Sequence, residues 1–67
     1  MSSVARVTEI TARGSDYQSA IQAGIDRANK TLRGVQHVYV KDHEIYLEDG
    51  TVTEHQVDLK VTFTLDD

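Results

Sequence analysis

The 67-residue chain has no cysteine, no proline and no tryptophan. Without cysteine it can form neither a disulfide nor a thiolate metal site. A chain this short buries only about 60% of the surface its unfolded form exposes, and small domains compensate with disulfides, a metal or association. Association is the remedy left. No segment approaches the roughly 18–20 apolar residues of a membrane helix, and residues 1–20 hold no apolar run like a signal-peptide core. A cytoplasmic protein with no membrane partner is expected. Positive charge is also scarce: seven Lys and Arg stand against eleven Asp and Glu, for a net charge of −4. With no basic cluster to neutralise phosphates, no nucleic-acid partner is expected. Paired carboxylates, an activated nucleophile and a phosphate-cradling glycine loop are all missing, so the expectation is not an enzyme.

What is present reads as one domain, residues 1–67, without repeats or low-complexity tracts. Val4 to Thr11 is rich in β-branched residues and predicts a strand, broken by Arg13-Gly14-Ser15. Ser15 followed by Gln18 fits a capping box, and Asp16 in the first turn suits the helix dipole. Tyr17, Ala20, Ile21, Gly24, Ile25, Ala28 and Leu32 then recur at spacings of three and four. That stripe predicts an amphipathic helix from about Asp16 to Arg33, capped by Gly34. Its small residues imply close packing onto a sheet. The Arg13-Gly14-Ser15 string at the helix start offers a place for an anionic group.

Val35 to Leu47 predicts a long strand whose pattern changes phase: Val38 and Val40 share one parity, Ile45 and Leu47 the other. A phase change requires a bulge or bend, here near Lys41 to Glu44. Glu48-Asp49-Gly50 predicts a hairpin turn. In the last strand Val57, Leu59, Val61, Phe63 and Leu65 alternate with Gln56, Asp58, Lys60, Thr62 and Thr64. Period two places one face on a core and the other outward. The fold class is α+β: βαββ, a three-stranded antiparallel sheet wrapped around one helix. One helix covers one face, so the other must meet solvent, ligand or another subunit.

This order of elements, with Ala23-Gly24-Ile25-Asp26-Arg27-Ala28, Thr31-Leu32-Arg33 and His55-Gln56-Val57-Asp58-Leu59-Lys60-Val61-Thr62-Phe63, resembles the dodecin family from about Val4 to Leu65. The resemblance implies a hollow homododecamer that binds flavin (riboflavin, FMN or FAD) in pairs between subunits, for storage or sequestration. In that family a Trp of the second strand stacks on the isoalloxazine ring and a Gln of the third strand bonds its edge. Gln56 matches the Gln. His37 stands at the Trp position, Glu44 at that of an Arg common in bacterial members, and Asp42 at an acidic position near the flavin. The resemblance therefore implies a flavin site of His37, Gln56, Asp42 and Glu44. An imidazole stacks over less area than an indole. The alternative is a shell that has lost flavin and binds a divalent metal, calcium, or acts as a scaffold. Within one chain His37, His43 and His55 match no recognised zinc spacing.

Overall fold

The computed structural model describes residues 4–65. They form four elements: β1 (Ala5–Gly14), α1 (Tyr17–Thr31), β2 (Val35–Glu48) and β3 (Thr51–Thr64). The sheet order is β1-β3-β2 and both pairings are antiparallel. β3 is central because it alone has a fully apolar inner face: Val57, Leu59 and Val61 are completely buried. The helix supplies small residues to meet them. Ala20, Gly24 and Ala28 are buried along one side of α1, which lies over β1 and β3 and scarcely reaches β2. The βαββ class and the small-residue contact stripe are as the sequence predicts.

Two boundaries differ from the sequence expectation. The helix is capped by Asp16, not Ser15. Asp16 is extended (φ −144°, ψ 174°), its carboxylate accepts from the Ser19 amide at 2.7 Å, and the Asp16 amide donates to Ser19 Oγ at 3.2 Å. Two overlapping cap patterns exist one residue apart, and the carboxylate is the acceptor used. The Ser19 amide, then its hydroxyl, hold the Asp16 carboxyl below the usual carboxylate range, with His55 adding a smaller favourable charge. At the other end α1 stops at Thr31 because Leu32 is extended (φ −121°, ψ 149°), its amide still donating to the Ala28 carbonyl at 2.8 Å. Gly34, with φ +66°, is thus not the cap. It turns the chain into β2, where its carbonyl accepts from the Thr64 amide at 3.0 Å.

β1 also runs further than expected, through Arg13 and Gly14, which pair with Gln56 and His55. The predicted hairpin turn is present: Asp49 (φ +51°) and Gly50 (φ +79°) are the two connecting residues. Both angles positive is the type I′ geometry that matches strand twist, and Asp-Gly is the pair that adopts it at least cost. The phase change is present too, as a register shift between Val40 and Asp42. Fourteen residues of strand span ~46 Å at ~3.3 Å each, whereas the 15-residue helix spans ~22 Å at 1.5 Å each. The helix therefore covers under half of the hairpin, and Ile45, Leu47 and Val52 stay exposed toward its tip. No helix among the described residues is long and apolar enough to cross a membrane.

Candidate functional site

The sheet face opposite the helix carries all four residues that the resemblance singles out. Register decides this. On β3 the residues alternating with Val57, Leu59 and Val61 are Gln56, Asp58, Lys60 and Thr62. Across from them on β2 lie Glu44, Asp42, Tyr39 and His37 respectively. The bulge is what makes this possible. In an unbroken strand His37 and Tyr39 would face one side, Asp42 and Glu44 the other. The extra residue at Lys41 reverses the alternation, so Asp42 and Glu44 join His37 on the uncovered face.

Sharing a face does not make the four one cluster. His37 is the partner of Thr62, six positions along β3 from Gln56, a separation of ~20 Å at ~3.3 Å per residue. Glu44 and Gln56 are direct neighbours, and Asp42 opposes Asp58 one step inward. Asp58 is supported by β1, accepting from Thr11 Oγ1 at 2.9 Å.

Around Gln56 the structure adds Arg13, Glu54 and Tyr46, which the sequence reading did not connect with it. Arg13 Nε donates to Gln56 Oε1 at 2.9 Å. The same guanidinium lies 3.6 Å from the Glu54 carboxylate and 5.9 Å from the centre of the Tyr46 ring. Tyr46 Oη donates a long bond, 3.4 Å, to Glu44. Arg13 is therefore not an anion holder at the helix start, as its string suggested; it points to the other face of the sheet. Extending the period-two pattern of β1 by two residues would have revealed this, since Arg13 has the outward parity of Glu9 and Thr11. Lys41, the bulge residue, reaches back to Glu9 at 3.4 Å.

The three histidines divide between the two faces. His43 and His55 come together on the helix side, while His37 lies on the other. Among the described residues no three His, Asp or Glu side chains gather as metal ligands. No cavity is enclosed by the described residues of one chain. The acceptor and donor pairs of this face lie on the uncovered side of the sheet, with Gln56 and Asp58 half-buried and Thr11, Arg13 and Glu44 exposed.

The family model for dodecin matches residues 4–66. The chain belongs to the dodecin family. Solved dodecins share its fold throughout. The dodecin from Streptomyces davaonensis is 34% identical, with a TM-score of 0.93 over 100% of both chains. A Thermus thermophilus dodecin variant is 33% identical, with a TM-score of 0.92 over 98% of this chain and 100% of that one. The Streptomyces coelicolor dodecin is 33% identical, with a TM-score of 0.90 over 97% and 94%. No curated protein matches. As a dodecin, the chain has the family's βαββ architecture.

Proposed function

We propose that this dodecin assembles as a homododecameric shell and binds flavin between subunits, holding it out of reach of light and free diffusion rather than transforming it. The observation that carries this reading is the ~20 Å separation of His37 and Gln56 on one uncovered face. One isoalloxazine ring cannot touch both within a chain. Both contacts to one ring would take two chains, which supports a ligand position between subunits.

The residues fit a flavin in kind. With its Oε1 held by Arg13, Gln56 has a fixed amide whose Nε2–H donors remain available. The pyrimidine edge of an isoalloxazine presents carbonyl acceptors for such a donor. His37 is exposed and offers a flat ring for stacking. Asp42 and Glu44 line the strand between them, with Glu44 anchored by Tyr46. Among the described residues five hydrophobic side chains are fully buried, a thin core for one chain, and the exposed Tyr39, Ile45, Leu47 and Val52 supply apolar area for subunit contacts. Riboflavin and FMN are the ligands to try first.

The test is a titration of the purified oligomer with riboflavin and with FMN, following flavin fluorescence. Quenching that saturates near one flavin per chain supports the reading. Its absence at micromolar flavin would favour a second reading, a shell without flavin. The observation behind that second reading is the imidazole at position 37, whose stacking surface is smaller than an indole's.

A further inference from the structure

Outside that face stands a second pair of groups. His43 Nε2 and His55 Nδ1 lie 2.9 Å apart, with ring planes inclined by only 21°. They project from adjacent strands on the helix side, His43 opposite Val57 and His55 opposite Ile45. Tyr17, the first residue of α1, sets its ring 4.4 Å from that of His43. Strand pairing fixes the two backbones and the tyrosine fixes one ring, so the two nitrogens are held facing each other. Neither ring has another hydrogen-bond partner among the described residues.

A hydrogen bond between two imidazoles needs one facing nitrogen protonated and the other bare. Moving that proton to the outer ring nitrogen leaves two lone pairs side by side, with no change in net charge. Two nitrogens 2.9 Å apart, each at a metal–nitrogen bond of about 2.0–2.1 Å, subtend an angle of about 90° at the ion. That is the angle of two neighbouring positions in a square or octahedral shell, and is tighter than a tetrahedral site would choose.

We propose that His43 and His55 form a two-imidazole chelate for a divalent transition metal, Cu²⁺ above Ni²⁺ and Zn²⁺, with water completing the shell. Imidazole donors select this class over calcium and magnesium, which take oxygen ligands. The order of affinities for nitrogen sites places Cu²⁺ first. The site lies on the opposite side of the sheet from His37 and Gln56 and shares no residue with them.

The test is calorimetric titration of the full oligomer with Cu²⁺ and with Zn²⁺ at neutral pH, alongside intrinsic fluorescence. With no tryptophan, emission comes from Tyr17, Tyr39 and Tyr46, and Cu²⁺ beside the His43 ring quenches Tyr17. The expected result is saturation at one Cu²⁺ per chain, weakened at least tenfold in both His43→Gln and His55→Gln and unchanged in His37→Ala. Acidification should release the ion, because protons compete for the same nitrogens. Equal affinity in wild type and both Gln variants would overturn the proposal, as would an equal loss in His37→Ala. Oligomer mass is recorded for every variant; if His43→Gln does not assemble, His55→Gln decides the outcome.

Discussion

Arg13 and Gln56 are direct register partners across β1 and β3, and the guanidinium Nε donates to the Gln56 amide oxygen at 2.9 Å. A glutamine on an open strand otherwise rotates freely, presenting donor and acceptor in either order. The arginine removes one of those orders. Arg13 is thus a positioning residue for whatever Gln56 contacts.

Replacing Arg13 with Ala should therefore loosen the amide without removing it. Flavin affinity is expected to fall about tenfold, equivalent to ~1.4 kcal/mol, the upper end of what an ordinary hydrogen bond contributes. Fluorescence titration of Arg13→Ala beside Gln56→Ala would read this. An unchanged dissociation constant in Arg13→Ala, with a loss in Gln56→Ala, would show that the amide needs no orientation.

His37 is open to the opposite test. His37→Trp restores the larger ring, whose stacking contributes roughly 0.5–1.5 kcal/mol beyond area burial. Tightening of up to about tenfold is expected from that contribution alone, read as quenching at lower protein concentration. No change would mean that position 37 does not meet the ring.

The assembly itself is directly measurable. Light scattering of the native protein should give the mass of a dodecamer of the 7.5 kDa chain. A monomer would leave no interface at which His37 of one chain and Gln56 of another could meet one ligand, and a dimer would supply such an interface but no shell.

Much of the fold was legible because period and turn chemistry are local. Val57, Leu59 and Val61 announced the central inner face, Asp49-Gly50 the hairpin, and the parity switch between Val40 and Ile45 the bulge. The helix cap was misplaced because Ser15/Gln18 and Asp16/Ser19 both fit a capping pattern, and only the backbone decides which residue is extended. The resemblance named four candidate positions, but their geometry was not legible. Nothing in the linear sequence says that Glu44 adjoins Gln56 while His37 does not. Arg13 was hidden for another reason: a residue before a glycine read as a break, whereas Gly14 continues the ladder to His55. The His43–His55 contact was likewise invisible, because it depends on a register that the bulge shifts.

The cap has a pH signature. Asp16 has a carboxyl depressed in the folded state by the Ser19 amide and hydroxyl, below the ordinary 3.8. A depressed folded value contributes stability that is present above 3.8 and lost as pH falls through the folded value. Urea midpoints for wild type should therefore exceed those of Asp16→Ala at neutral pH, with the gap closing as pH is lowered past that range. Asp16→Asn retains an amide oxygen that caps well without a charge, so its midpoint should depend less on pH. A wild-type advantage that persists in strong acid would show that the carboxylate charge is not the source.

The contact between helix and sheet offers the most exacting test of the packing. A Cβ added at Gly24 would lie 2.5 Å from Leu59 Cδ1 and 3.3 Å from the Ala12 methyl. Leu59 is fully buried and cannot swing clear. Gly24→Ala gains helix propensity of roughly 0.5–1 kcal/mol but incurs overpacking of about 1–3 kcal/mol, so the variant should be less stable than wild type, by up to about 2.5 kcal/mol. Because subunit association makes unfolding depend on concentration, midpoints are compared at one chain concentration. Leu59→Val in the Gly24→Ala background removes the clashing methyl. The double variant should thus lose less than the two single losses added together, a coupling expected only for residues in contact. Simple additivity would mean that α1 moves away from β3 as a rigid body, and that the glycine is not what sets the distance between them.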